Sequence, residues 1–124
     1  MDCWTRSGER VLSNERGLFR VDHIKVAIGQ IRGLLDGHSL ADIQSDLIAR
    51  LAFERLLQII SEASRGVPDE WKVSIAPAVN WRRLADLGNR LRHVYDAVDL
   101  GILWGIYTDD LDPLEAAIDA MIAA

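Results

Sequence analysis

The sequence predicts an all-α protein, an up-and-down bundle of four or five helices. Three observations carry this. Apolar residues recur at spacings of three and four in successive windows. No stretch alternates apolar and polar residues with a period of two. Gly, Pro, Asn, Asp and Ser fall between the periodic windows, where helices stop and start. A chain of 124 residues, 49% of them apolar, has material for one domain with one core.

Residues 1–16 are polar and lack a clean period, so they read as a loose leader to a helical domain over 17–124. From Leu18 a helix is expected, with Val21, Ile24, Ile28, Ile31 and Leu35 on one face. Gly29 and Gly33 weaken it and suggest a close helix–helix approach, and Gly37 is placed to end it. Ser39 with Asp42 three residues on forms a capping box in which the shorter acid is used. The helix it opens is expected to run unbroken to Arg65, about 25 residues, with Leu40, Ile43, Leu47, Leu51, Phe53, Leu57 and Ile60 on a broad apolar face. Gly66 and Pro68 stop it, and a connector with a short turn at Asp69–Val73 follows. Asn80 is a suitable N-cap for a helix from Trp81 to about Tyr95. Asp99 starts a fourth helix through Leu103, Trp104 and Tyr107, and Asp112 with Pro113 starts a last one.

Composition narrows the function classes. The single cysteine, Cys3, cannot form an internal disulfide or a multi-cysteine metal site, which fits a reducing cytosol. No apolar run reaches the roughly 18 residues of a membrane span, and the N-terminus lacks a signal-like apolar stretch. A soluble, cytoplasmic protein with no membrane partner is expected. No metal constellation, phosphate loop or nucleophile elbow is present, and no cofactor is called for. The net charge of −5 argues mildly against a nucleic-acid partner, yet the charge is uneven. Between Trp81 and Tyr95 four arginines (Arg82, Arg83, Arg90 and Arg92) stand against one acid, Asp86, a local net charge of +3.

On a helical projection of 81–95, Leu84, Leu87, Leu91 and Val94 share the core side. Arg82, Asp86, Asn89 and His93 form a polar ladder opposite, and Arg90 flanks it. By spacing alone such a face is most simply a solvated one, with His93 near a helix C-terminus where its cation suits the dipole. The same face also sets a group that titrates near neutral pH in line with an amide and arginines, a set able to move protons and stabilise anionic charge.

Several blocks decide between these readings. Phe53-Glu54-Arg55-Leu56-Leu57-Gln58-Ile59-Ile60-Ser61-Glu62-Ala63 resembles the second-helix signature of the HepT-like toxins, a branch of the HEPN ribonuclease superfamily. Asn80-Trp81-Arg82 is similar to that family's Pro-Trp-Arg opening of the motif helix. Gly88-Asn89-Arg90-Leu91-Arg92-His93-Val94-Tyr95 resembles its Arg-Asn-x-Leu-x-His-x-Tyr motif, and Gly101-Ile102-Leu103-Trp104 and Asp110-Leu111-Asp112-Pro113-Leu114 resemble its closing helices. The resemblance covers about residues 18–122. It implies a HEPN-like bundle acting as a homodimer whose two motif helices form a cleft, and a metal-independent endoribonuclease toxin of a type VII toxin–antitoxin pair. It further implies RNA, such as tRNA or mRNA, as substrate, and a neighbouring MntA-type nucleotidyltransferase antitoxin that adenylylates Tyr95. His93, Asn89 and Arg92 are then the expected catalytic residues, with Arg82 and Arg90 binding RNA phosphate.

One position departs from the pattern. The family's arginine five places before the histidine falls here on Gly88. Arg92, Arg90 or Arg82 then takes over the phosphate contact, or the chain is a catalytically degenerate module that binds RNA or its nucleotidyltransferase partner without cutting. Arg92 is about 100° from His93 on the helix, so its route would run to the other subunit. Trp71, Trp81 and Trp104 read as packing residues rather than base-stacking ones. Glu54 is a candidate to hold an arginine of the motif helix. Arg55 and Glu62 read as structural polar contacts, and His23 and His38 have no assigned role.

Overall fold

A computed structural model describes the backbone over residues 2–93 and 99–124 and the side chains over residues 14–91 and 99–124. The described chain is helical and contains no strand. Four long helices form the bundle: α1 (Asp2–Leu35), α3 (Leu47–Arg65), α5 (Trp81–His93) and α7 (Leu111–Ala123). Three short ones, α2 (Leu40–Gln44), α4 (Asp69–Ser74) and α6 (Leu100–Gly105), serve the connections. The all-α bundle expected from the periodicity, which the resemblance made HEPN-like, is what the described residues form.

The core is built from the faces that the spacing marked. Val21, Ile24, Ile28, Ile31 and Leu35 of α1 are fully buried, against Phe53, Leu57 and Ile60 of α3 and Leu111, Leu114, Ile118 and Met121 of α7. Each such side chain contributes on the order of 1.5–3 kcal/mol by leaving water. Helix α3 packs between α1 and α5, and α1 packs between α3 and α7. Ion pairs fix the antiparallel register of α1 on α7. Lys25 meets Asp119 at 2.8 Å and Glu115 at 3.4 Å, and Arg32 meets Asp112 at 2.6 Å and Glu115 at 3.4 Å. At the same end the Tyr107 hydroxyl donates to the Asp36 carboxylate, which holds the phenol above its ordinary pKa.

The backbone of residues 2–16 is helical and continuous with α1. Three sequence expectations change. Gly29 and Gly33 face open space on the solvent side of α1, so they serve no close approach. The capping box at Ser39 forms as expected, Asp42 N–H donating to Ser39 Oγ (3.2 Å) and Ser39 N–H to Asp42 Oδ2 (2.9 Å). The helix it opens nevertheless ends at Gln44, because Asp46 turns its carboxylate onto the Ala49 N–H (3.1 Å) and starts α3 afresh. Leu47, Ile48 and Leu51, at the start of α3, are exposed as a result. Finally, no separate cap forms at Asp112. Helix α6 runs through a π-helical turn at Ile106–Asp110 directly into α7. Pro113 lacks an N–H, and the wider turn lets the chain pass it without a break. Asp112 is spent on Arg32 instead.

Gly37 closes α1 in the left-handed region at φ +82°, as its position suggested. No helix among the described residues is long and apolar enough to cross a membrane.

Candidate functional site on helix α5

Helix α5 begins where Asn80 Oδ1 accepts the Arg83 N–H at 3.0 Å. Its start is anchored by Trp81, whose indole N–H donates to the Ala76 carbonyl (3.1 Å) while Lys72 Nζ lies 5.5 Å from the ring centre. Leu87 is buried and Leu84 and Leu91 are half-buried, so the apolar side of the helix faces the core as projected. Arg82, Asp86, Asn89 and Arg90 are exposed, which leaves the described part of the polar ladder on the surface.

Two flanks of this face differ. Toward α6, Arg82, Arg83, Asp86 and Arg90 line an open groove of about 390 Å³ floored by Leu87, Ile102 and Ile106. It thus joins Arg82 and Arg90, both expected to bind phosphate, with Arg83. Arg83 also reaches Asp110 of the π-helical turn at 3.7 Å, at the boundary with a smaller, more apolar cleft of about 170 Å³.

Toward α3 the helices are in close contact. Ser61, fully buried, donates to the Ala85 carbonyl (3.2 Å), and its Oγ accepts the Gly88 N–H (3.0 Å). A Cβ on residue 88 would fall well inside contact distance of Ser61 Oγ and 2.8 Å from Ser61 Cβ. The position at which the motif arginine is missing therefore packs against α3, with no room for a side chain while Ser61 stays in place. One turn further along α3, Arg65 Nη2 donates to the Ala85 carbonyl (3.0 Å) and to Asn89 Oδ1 (2.8 Å). A guanidinium thus reaches the α5 ladder from a neighbouring helix.

Arg65 and Ser61 were not among the residues singled out by sequence. Arg65 reads there only as the last residue of a helix, and nothing local shows which helix it faces. His93 is the last residue of α5, one turn beyond Asn89 along the backbone; its side chain and that of Arg92 lie outside the described residues, as does Tyr95 entirely. Among the described residues Glu54 pairs with Arg50 of its own helix, at 3.3 Å, and not with an arginine of the motif helix. Arg55 donates to Gln58 (3.1 Å) and Glu62 is exposed. Trp71 packs over Gly17 and Trp104 lies 5.0 Å from Tyr107, both half-buried, as packing residues do. His23 lies against Phe19 and His38 beside Asp42, apart from the ladder. Among the described residues no group of three or more His, Cys, Asp or Glu side chains is arranged to hold a metal ion.

An antiparallel HEPN-like bundle with an arginine-flanked polar helix is the class that fold and site define. Within it, the chain belongs to the family described as Ribonuclease HepT-like, which matches residues 24–121. Among similar proteins is one named "Probable ribonuclease HepT" from Thermococcus cleftensis, 31% identical over 80 residues, covering 64% of this chain and 72% of that protein. A "Putative RNase" of Caldanaerobacter subterraneus subsp. tengcongensis is 29% identical over 86 residues, covering 69% and 76%. Another "Putative RNase", from Methanocaldococcus jannaschii, is 33% identical over 70 residues, covering 56% and 63%. No solved structure matches the chain significantly.

Proposed function

We propose that this protein is the RNA-cleaving toxin of a type VII toxin–antitoxin pair, a cytoplasmic, metal-independent endoribonuclease that acts as a homodimer. The observation that carries the reading is the α5 polar face, where exposed Asn89 lies one backbone turn before His93 and Arg82, Arg83 and Arg90 line one groove, in a chain of the HepT-like ribonuclease family.

Cleavage without a metal requires a base for the ribose 2′-OH and an acid for the departing 5′-oxygen. The 2′-oxygen attacks phosphorus and the P–O5′ bond breaks, leaving a 2′,3′-cyclic phosphate and a 5′-hydroxyl. Two copies of His93, one from each subunit, serve as base and acid. Asn89 and Arg92 hold the phosphate and stabilise its added charge, while Arg82 and Arg90 bind flanking phosphates. A partner nucleotidyltransferase of the MntA type silences the site. It joins the Tyr95 oxygen to the α-phosphorus of ATP and releases pyrophosphate, and the added AMP blocks RNA by bulk and repulsion.

The test is induced expression with and without the adjacent nucleotidyltransferase gene, together with cleavage of tRNA and mRNA by the purified protein in a chelator. Growth arrest and cleavage by the wild type, lost in His93→Ala and after adenylylation of Tyr95, support the reading. Intact RNA with unmodified Tyr95 refutes it. A second reading, a module that binds RNA or its partner without cutting, is favoured by one observation, the side-chain-free, packed position at Gly88. It predicts toxicity that persists in His93→Ala.

A further inference from the structure

We infer that Arg65 of α3 is a positioning residue for this site: it fixes the orientation of the Asn89 amide and brings to the α5 face the guanidinium that Gly88 cannot carry. The inference rests on the ribonuclease reading above for its catalytic consequence, and on contacts between α3 and α5 for its geometry.

An asparagine amide has an acceptor end and a donor end of nearly the same shape, so its function depends on which way it is turned. Arginine has only donors. With Arg65 Nη2 2.8 Å from Asn89 Oδ1, the oxygen must face α3, and the amide's two N–H donors lie on its far side. An oppositely turned amide would set N–H against N–H. The same Nη2 also donates to the Ala85 carbonyl at 3.0 Å, so the guanidinium is tied to one full turn of α5. The contact is possible because the two helices approach closely at Ser61 and Gly88. The pair is exposed, so the Arg65 guanidinium faces solvent beside α5, on the flank toward α3, while the arginine groove lies on the flank toward α6. A fixed cation beside an amide of set orientation suits a phosphate oxygen that gains charge during cleavage.

The experiment uses the full-length protein and a synthetic RNA oligonucleotide that the wild type cleaves. Arg65→Ala should lower kcat about 10- to 100-fold with little change in KM. Arg65→Ala combined with Asn89→Ala should be no worse than Asn89→Ala alone, since both remove one unit. Arg65→Lys should recover only part of the loss, because the flexible, strongly hydrated ammonium lacks the planar guanidinium that presets the direction of both hydrogen bonds. Arg55→Ala, which removes the same charge about 15 Å earlier on α3, should leave kcat unchanged. Unchanged kcat in Arg65→Ala, or additive losses in the double variant, would overturn the inference. The side-chain amide signals of Asn89 in a ¹⁵N spectrum give a readout independent of cleavage: they should move in Arg65→Ala and stay in Arg55→Ala. Should the wild type not cut RNA, the ribonuclease reading fails and the catalytic consequence with it, while unmoved amide signals would separately refute the fixing of Asn89.

Discussion

The Ser61 hydroxyl does three things at once: it donates to Ala85, accepts from Gly88 and fills the space where a side chain at 88 would begin. Two residues that touch in this way cannot be changed independently. Gly88→Ala should destabilise the protein by about 1–3 kcal/mol, the usual range for forcing atoms into a packed contact, even though alanine is the better helix former. Ser61→Gly should be costly alone, since it removes the hydrogen bonds and adds chain freedom, yet it should relieve much of the Gly88→Ala penalty. A double-mutant cycle by urea denaturation measures the coupling, expected at about 1 kcal/mol or more; additive losses would show that the two sites do not contact in solution. This scale was the least legible in the sequence. The polar ladder Arg82, Asp86, Asn89 could be drawn from spacing because a helix sets it. That Gly88 faces Ser61, or that Arg65 reaches Asn89, depends on how two helices pack, and no local pattern records it.

Elements were legible where the cue was a contiguous face or a cap. The α1 face from Val21 to Leu35, the Ser39–Asp42 box and the Asn80 cap all form. Breaks were harder to see, because competing caps are decided by which side chain wins the backbone: Asp46 divides one apolar stripe into α2 and α3, and Pro113 sits inside a continuous α6–α7 path rather than starting a helix. Two predictions belong here. Gly29→Ala or Gly33→Ala should each stabilise the protein by about 0.5–1 kcal/mol, since both glycines are helical with open space around them; a lowered melting temperature would place an unseen contact on that face. The second concerns acid. The Ser39 amide and hydroxyl hold the Asp42 carboxylate below its ordinary value of 3.8. A depressed carboxylate contributes stability that is fully present above 3.8 and is lost as pH falls through its lower folded value. Asp42→Ala should therefore lower the melting temperature near neutral pH, with the difference from wild type shrinking as pH drops below 3.8. A difference that stays constant into acid would mean that the carboxylate's charge plays no part in the cap.

For the whole molecule the central fact is a charge contradiction: a chain of net charge −5 that presents Arg82, Arg83 and Arg90 along one groove. The acids are not scattered at random. Asp112, Glu115 and Asp119 are engaged by Lys25 and Arg32 along the α1–α7 seam, and Asp110 meets only the edge of the groove through Arg83. RNA approaching from a distance meets a repelling molecule, and one close to α5 meets an attracting surface. Association should consequently be weak at low surface overlap and should depend steeply on salt only for strands long enough to lie along the groove. Each phosphate neutralised on a single strand contributes roughly −0.7 to the slope of log K against log salt. Arg82→Gln with Arg90→Gln should reduce the magnitude of that slope by about 1.4 if both arginines meet phosphate. Arg16→Gln, an exposed charge removed from α1, should leave it unchanged. Fluorescence anisotropy of a labelled oligonucleotide, with His93→Ala in every variant to prevent cutting, gives both slopes. An equal reduction in both would mean that RNA senses only the net charge of the bundle, and the groove on α5 would then lose its claim to be the binding surface.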